Sequence, residues 1–309
     1  MSFELEFVEI LKQRFAPRPP VQFGIGDDGA VIAPADGGHT VVVTDMLLDG
    51  VHFDLAQTDP ALVGRKSITV NISDLAAMGS RPVAGFVSIA VPSDVADAPG
   101  GFVSSLFTGI EQLADHYRFT VAGGDTNVWN GPLAINVCLM GELMGAQPVL
   151  RSGANVGDIL VVTGPLGGSL HSGRHLTFEP RLDLAEQLVE SGELTAMMDI
   201  SDGLAIDLHR MMKASGAGAV VNAESIPVHA DVPVTLSDVK RREAALSDGE
   251  DFELLLTVSP DAVTSLLSAH PMCCAIGEVS PGSEVFLRVD GSEVPLPAVG
   301  WQHDGIRAV

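Results

Sequence analysis

ALVGRKSITVNISDLAAMG, residues 61–79, predicts a helix with one apolar side. Its large apolar residues recur at roughly helical spacing: Leu62, Ile68, Ile72, Leu75 and Met78. Gly79, shortly followed by Pro82, is a typical helix stop. Asp74 falls on the apolar side of this helix, where a carboxylate is not explained as an ordinary surface residue. The stretch therefore indicates a core helix that carries a functional acid.

Short β-branched runs flank this helix and predict strands. In the first half they are TVVVTDM (40–46), VAGFVSIAV (83–91), FTVAGG (119–124) and LAINVCLMG (133–141), with a second helix from about Gly101 to Tyr117. A turn-rich stretch, 145–157, follows them and is the best candidate for a linker. Beyond it we predict strands at 158–164, 219–222, 252–258 and 284–289, and helices at 183–191 and 203–215.

The length of 309 residues suggests two domains, at about 100 to 200 residues each. With the linker as the boundary, we predict domains at 1–147 and 148–309. The second domain has an α+β pattern.

The composition excludes several classes of function. Seventeen basic residues face 40 acidic ones, a net charge of −23, so neither a nucleic-acid partner nor an anionic membrane surface is expected. Hydrophobic residues make up 46% of the chain and charged residues 18%, which is typical of a folded protein. The three cysteines show neither a disulfide pattern nor a metal-binding spacing, and no apolar run reaches about 20 residues. We therefore expect a cytoplasmic protein.

Carboxylates at strand ends and in turns are the most informative feature. They stand beside glycine or in apolar segments with few basic neighbours: Asp27, Asp28, Asp45, Asp49, Asp74, Asp125, Asp199, Asp202, Glu250 and Asp251. Each motif has a structural alternative, since Asp-Gly pairs form ordinary turns, and Ser201 or Asp202 would suit the N-cap of the helix that follows. Clustered acids need compensation, and Mg²⁺ with substrate phosphates provides it. The combination favours a metal and phosphate site.

The kind of phosphate enzyme is narrowed by what the sequence lacks. No Gly-Lys pair is present, so there is no GxxxxGK[ST] loop, and neither HRD nor DFG occurs. With only four lysines, the chain does not neutralise a triphosphate by massed cations. Metal ions held by aspartates would have to bridge the phosphate oxygens.

Seven motifs, in this order and spacing, resemble those of the thiamine-monophosphate kinases, in the aminoimidazole ribonucleotide synthetase-like superfamily. They are GIGDDGAV (24–31), TDMLLDGVHF (44–53), KSITVNISDLAAMGSRPVA (66–84), AGGDT (122–126), RSGANVGD (151–158), MDISDGLAIDL (198–208) and GEDFEL (249–254). The resemblance implies a two-domain α+β fold whose N-terminal domain binds ATP and Mg²⁺ and pairs into a homodimer. It also implies transfer of the γ-phosphoryl group of ATP to thiamine monophosphate, giving thiamine diphosphate.

The resemblance implies that the second domain completes the nucleotide and acceptor sites. It also implies roles for single residues. The implied metal-binding positions are Asp28, Thr44, Asp45, Asp74, Asp125, Asp199 and Asp202. The implied nucleotide contacts are Gly124, Asp125, Arg151 and Ser201. The implied substrate contacts are His52, Glu250 and Trp301.

These roles are physically sensible. Four of the aspartates would form a Mg²⁺ cage, and Arg151 would be a forked donor to phosphate. Thiamine carries a cationic thiazolium, for which Trp301 offers an aromatic face and Glu250 an opposite charge. The structural alternatives are a hydrogen-bonded histidine at His52 and a packing role for Trp301.

Two departures from the family pattern fall in the second domain. The segment at 169–180 is shorter than in typical members, and Asp248 stands where glycine is usual. Val43 also replaces a commoner serine or threonine beside the metal motif. Two alternatives therefore stay open: a related ATP-dependent enzyme with another acceptor, and a catalytically silent nucleotide-binding homologue.

Overall fold

The computed structural model describes residues 3–35, 37–95 and 101–301. Two mixed sheets form the framework. The first contains β1 (Val21–Phe23), β2 (Ala30–Ile32), β3 (Thr40–Leu48), β4 (Ser80–Pro92), β5 (Thr120–Trp129) and β6 (Ala134–Leu143), in the order β1-β2-β3-β6-β4-β5. The second contains β7 (Ile159–Val162), β8 (Leu194–Ile200), β9 (Gly218–Asn222), β10 (Glu253–Val258), β11 (Cys274–Ser280), β12 (Val285–Val289) and β13 (Ser292–Pro295), in the order β13-β12-β9-β11-β7-β10-β8.

Eight α-helices accompany the sheets in the part of the chain that the structure describes. They are α1 (Phe3–Arg14), α2 (Pro60–Ala77), α3 (Phe102–Tyr117), α4 (Ser169–Ser172), α5 (Leu182–Ser191), α6 (Leu204–Ser215), α7 (Asp238–Ser247) and α8 (Pro260–Ala269). The α+β fold class is confirmed. Among the described helices, none combines the length and the apolar character that crossing a membrane requires.

Helix α2 is the predicted helix of residues 61–79, and it is confirmed with slightly shifted ends. Its first turn contains Pro60, and the Asp59 side chain accepts a hydrogen bond from the Ala61 N–H at 2.9 Å. It ends before Gly79, whose φ of +64° suits glycine. The sequence predicts one apolar side, whereas the structure buries α2 nearly all round.

The second domain causes this extra burial. Helix α2 packs on β3, β4 and β6 of the first sheet and also against α5 and β8 of the second domain. One apolar core runs through both domains, since Ile72 and Leu75 of α2 belong to the same cluster as Leu182 and Leu188 of α5. The domains are therefore joined by a shared core as well as by the chain.

Strand β8 is the main element that the sequence patterns do not predict. It reads LTAMMDI, which lacks both the β-branched enrichment and the alternation of a typical strand. It pairs with β10 in the second sheet and carries Asp199 near its end. Helices α7 and α8 and strands β1, β2, β11 and β13 are also absent from the sequence prediction, because most are short and weakly patterned.

Two glycines allow α2 and α3 to approach closely. A Cβ atom at Gly64 would overlap the Leu106 carbonyl, and a Cβ at Gly109 would overlap the Ala61 carbonyl and crowd the Arg65 amide. Both obstacles are backbone atoms, so a side-chain rotation does not relieve them. The position of α2 on the first sheet depends on this contact.

We expect Gly109→Ala to lower the free energy of unfolding by about 1–3 kcal/mol, because an added methyl group forces the two helices apart. Helix propensity acts in the opposite direction by about 1 kcal/mol. Urea denaturation measures the net change in the free energy of unfolding. Gly24→Ala is the control, since the nearest atom to its Cβ would be 3.7 Å away. A stabilised Gly109→Ala protein would contradict the close approach of α2 and α3.

Candidate active site

A cavity of about 330 Å³ lies between the two domains. Its wall is built from the loop before β2, the end of β3, one face of α2, the end of β8 and the loop before β10. All but two of the predicted site residues line it: Asp28, Thr44, Asp45, His52, Asp74, Arg151, Asp199, Ser201, Asp202, Glu250 and Trp301. Motifs that are distant in the sequence therefore meet at one place.

Three aspartates at one end of the cavity can hold a cation together. Asp28, Asp74 and Asp199 each offer a carboxylate oxygen, and these atoms lie within 4.8 Å of one another. Oδ2 of Asp28 is buried without a hydrogen-bond partner, while Asp199 accepts from the Ser73 hydroxyl at 2.8 Å. Hard divalent cations prefer such an all-oxygen set. The donor chemistry fits Mg²⁺.

The protonation of these acids reflects their burial. Burial, followed by the charge of Asp45, raises the pKa of Asp74 well above its usual range. Burial, followed by the charge of Asp28, does the same for the pKa of Asp199. Burial raises the pKa of Asp45 to about 6, although a hydrogen bond with Asp74 opposes the rise. A cation bound here would take over the role of these protons.

Arg151 lies against the acids of the loop before β2. Its guanidinium forms an ion pair with Asp28, and its backbone N–H donates to both carboxylate oxygens of Asp27 at 3.2 Å. Burial alone would lower the pKa of Arg151, but the charges of Asp28 and Asp27 outweigh it and raise the pKa. In this structure Arg151 therefore acts first as a counter-ion within the cavity wall.

Arg210 is a second cation of the wall that the sequence analysis does not identify. Its Nη1 lies 2.6 Å from an Asp202 oxygen and 2.7 Å from an Asp207 oxygen. The spacing of three residues between Asp207 and Arg210 on α6 is the signal that would have indicated it. Asp27 and Phe252 also line the cavity without having been assigned a role.

The start of α6 corrects one structural alternative. Neither Ser201 nor Asp202 caps this helix, because Gly203 occupies the N-cap position. Instead, Asp207 Oδ2 accepts the N–H groups of Asp202 and Gly203, at 3.0 and 3.1 Å. The Asp202 side chain is thereby left to face the cavity.

The predicted substrate contacts lie in turns of the cavity wall. His52 Nδ1 accepts a hydrogen bond from the Leu48 N–H at 2.9 Å, so a neutral His52 ring carries its proton on Nε2. Glu250 has a left-handed backbone with a φ of +58°, and its N–H donates to the Ser201 carbonyl at 2.6 Å. The Trp301 N–H donates to the Asp202 carbonyl at 2.8 Å. Turns from both domains thus form the part of the wall that carries the predicted substrate contacts.

Gly124 and Asp125 lie outside the cavity. They belong to β5, the edge strand of the first sheet, which is exposed along all ten residues. The Asp125 carboxylate accepts from the Asn127 side chain at 2.9 Å. Within one chain, the predicted metal and nucleotide roles of this strand are therefore separated from the acids of the cavity.

Family comparisons agree with this architecture. Residues 26–143 match the family of AIR synthase related proteins in its N-terminal domain, and residues 155–290 match its C-terminal domain. The chain belongs to this family.

Within the family, the chain belongs with the thiamine-monophosphate kinases. It is 40% identical to the thiamine-monophosphate kinase of Rhodopirellula baltica over 84% of this chain and 83% of the relative. It is 32% identical to that of Bacillus subtilis over 97% of this chain and 99% of the relative.

Solved structures show the same relationship. A structure of AaThiL complexed with AMPPCP and TMP superposes with a TM-score of 0.81 at 29% identity, covering 97% of this chain and 96% of that one. The thiamine monophosphate kinase of Aquifex aeolicus gives 0.77 at 28% identity, covering 95% and 99%. The hydrogenase maturation protein HypE of E. coli gives 0.71 at 20% identity, covering 97% and 99%, and shares the fold alone.

The raised pKa values predict a pH-dependent response to Mg²⁺. Below a pH of about 6 Asp45 holds a proton that the cation must displace, whereas at higher pH Asp45 is ionised. We expect Mg²⁺ to raise the melting temperature more at about pH 8 than at about pH 5.5. Without metal, we expect the melting temperature to fall as the pH rises. A carboxyl whose pKa is raised in the folded state loses its stabilising contribution as the pH rises. Thermal denaturation with and without Mg²⁺ measures both.

Asp74→Asn is the variant that tests the acid cluster in this experiment. It keeps the side-chain shape and removes one buried charge, so we expect metal-free stability at about pH 8 to be unchanged or higher. The Mg²⁺-induced shift should largely disappear. Asp115→Asn, on the exposed surface of α3, is the matched control. An unchanged shift in Asp74→Asn would exclude a cation site at this cluster.

Proposed function

We propose that this chain transfers the γ-phosphoryl group of ATP to thiamine monophosphate in a cleft where Mg²⁺ is bound. The single observation that carries the proposal is the cavity between the domains, where the acid cluster and the predicted substrate contacts share one wall. The kinase relatives, and the AaThiL structure complexed with AMPPCP and TMP, support the same reaction.

The reaction needs alignment more than acid–base chemistry. An oxygen of the acceptor phosphate forms a bond to the γ-phosphorus while the bond from that phosphorus to the ADP oxygen breaks. The acceptor phosphate is already ionised at neutral pH, so no side chain has to remove a proton from it. The residues of the cleft therefore contribute by positioning both substrates and stabilising charge.

The acid end of the cavity would hold the triphosphate. Asp28, Asp45, Asp74, Asp199 and Asp202 would hold the metal ions, with Thr44 beside them. Mg²⁺ held by these residues would supply positive charge that offsets the negative charge of the phosphates. Arg151, which also lines this wall, would be the donor for phosphate oxygens. The Ser201 hydroxyl offers a further hydrogen bond to the nucleotide.

The part of the wall that carries His52, Glu250 and Trp301 would hold thiamine monophosphate. Trp301 and Phe252 supply aromatic surface for the thiazolium and pyrimidine rings, and Glu250 supplies opposite charge. The proton that a neutral His52 carries on Nε2 makes that nitrogen a donor for a substrate oxygen.

The proposal is tested by incubating purified protein with Mg²⁺, ATP and thiamine monophosphate and quantifying thiamine diphosphate by chromatography. Formation of thiamine diphosphate should require Mg²⁺. We expect Asp45→Asn to lower kcat/KM by about 100-fold or more, because a metal ligand contributes several kcal/mol to charge stabilisation. The exposed Asp115→Asn variant is the control. No product at saturating substrates, with ATP still bound, would favour a catalytically silent homologue or another acceptor.

We also propose that the chain works as a cytoplasmic homodimer, paired through the outer face of the first sheet. Strand β5 is an exposed edge, and large apolar side chains are exposed on it or on the neighbouring β4: Val83, Phe86, Val121, Val128 and Trp129. An edge of this kind is usually covered or paired. In such a dimer Gly124 and Asp125 lie at the interface, from where they would contribute to nucleotide binding in the assembled enzyme.

Light scattering on the purified protein should give twice the 32.2 kDa of one chain. We expect Phe86→Glu to shift the mass toward one chain, because a charge in an apolar interface lacks a partner. Val239→Glu on α7, where valine is 60% exposed, is the matched control and should remain dimeric. A dimeric Phe86→Glu protein would place the interface elsewhere.

A further inference from the structure

Lys66 is one of four lysines in the chain, and its side chain is completely buried. It lies on α2, two helical turns before Asp74, with Val70 between them on the same face. Val70 and Asp74 line the cavity. A buried ammonium group is costly unless opposite charge and hydrogen bonds compensate it, so the surroundings of Lys66 must supply both.

Three groups surround the ammonium nitrogen. It donates to the His52 carbonyl oxygen at 2.8 Å, and it lies 2.9 Å from Nδ1 of His175. It also forms an ion pair with the Glu250 carboxylate. An ammonium group has three N–H donors and no acceptor, so these three partners satisfy it completely.

The protonation of His175 agrees with this arrangement. Since Lys66 only donates, Nδ1 of His175 has to accept, and the ring proton stays on Nε2. Burial, followed by the charge of Lys66, lowers the pKa of His175 to about 3. The ring is therefore neutral, and Glu250 is the charged partner of Lys66.

The partners come from separate parts of the fold. His52 belongs to the turn after β3, His175 to the short segment between α4 and α5, and Glu250 to the loop before β10. Lys66 therefore links one domain to two segments of the other. Two of its three partners, His52 and Glu250, line the part of the cavity wall assigned to thiamine monophosphate.

The backbone of the Glu250 loop adopts left-handed conformations. Gly249, Glu250 and Phe252 all have left-handed φ angles, of +73°, +58° and +53°. Two of these residues carry side chains, for which this conformation is unfavourable. The surrounding contacts must therefore hold the loop, and the ion pair to Lys66 is its anchor in the first domain.

We propose that Lys66 is the positioning residue of the acceptor pocket: it holds the Glu250 carboxylate in the geometry that receives the thiamine part of the substrate. This inference rests on the proposed function. Lys66 acts through Glu250. Lys66 lies about 12 Å along α2 from Asp74, at 1.5 Å per residue.

The test is a double-mutant cycle with Lys66→Met, Glu250→Gln and the combined variant, assayed for KM of thiamine monophosphate and of ATP. We expect Lys66→Met to raise KM for thiamine monophosphate by about tenfold or more, the value of one lost charge-assisted hydrogen bond. KM for ATP should change by less than about twofold. Lys240→Met, on the exposed surface of α7, is the matched control.

The combined variant distinguishes a positioning role of Lys66 from a purely structural one. If Lys66 acts through Glu250, adding Lys66→Met to Glu250→Gln should not raise the acceptor KM further. The combined variant leaves no unpaired buried charge, so it remains informative if Lys66→Met alone does not fold. Additive effects, or equal increases in both KM values, would overturn the inference. Failure of the wild-type protein to form thiamine diphosphate would instead overturn the proposed function.

Discussion

Complete burial of helix α2 between the two domains is the constraint on which the rest of the structure depends. Buried polar side chains usually need hydrogen-bond partners, and α2 carries Lys66, Ser67, Asn71, Ser73 and Asp74. Ser67 and Asn71 donate to main-chain oxygens of α2 itself. Lys66 and Ser73 instead take partners from the second domain, Glu250 and Asp199. The domains therefore dock in the one arrangement that pairs these groups.

This docking also builds the cavity as a polarised cleft. Asp74 meets acids from the loop before β2 and from β8, whereas Lys66, two turns earlier on the same face of α2, pairs with Glu250. Arg151 and Arg210 offset part of the negative charge of the wall. The remaining carboxylates keep raised pKa values and fit a cation. A large negative charge on the chain is thus compatible with binding a triphosphate, because the acids serve as ligands.

Local patterns in the sequence were sufficient for the elements with strong periodicity or clear end signals. Helix α2 has both, and β3, β4 and β6 are rich in β-branched residues, so they could be predicted. Strand β8 could not, because LTAMMDI has no alternation and becomes a strand through its pairing with β10. The acids were identified because several carboxylate motifs at strand ends and in turns recur in one chain, a combination that favours a metal and phosphate site. Arg210 and Lys66 were not, since a single basic residue carries no local signal of its partners.

The sequence by itself determined the fold class, the family resemblance and the kind of chemistry, because these depend on periodicity, composition and motifs that are read within short segments. Tertiary structure alone decided which of the predicted residues meet. It places Lys66 against Glu250, a partner 184 residues away, and it places Asp125 on an exposed edge strand away from the acid cluster. The physical reason is that such contacts are created when two domains bury a common core, and no local pattern encodes that shared surface.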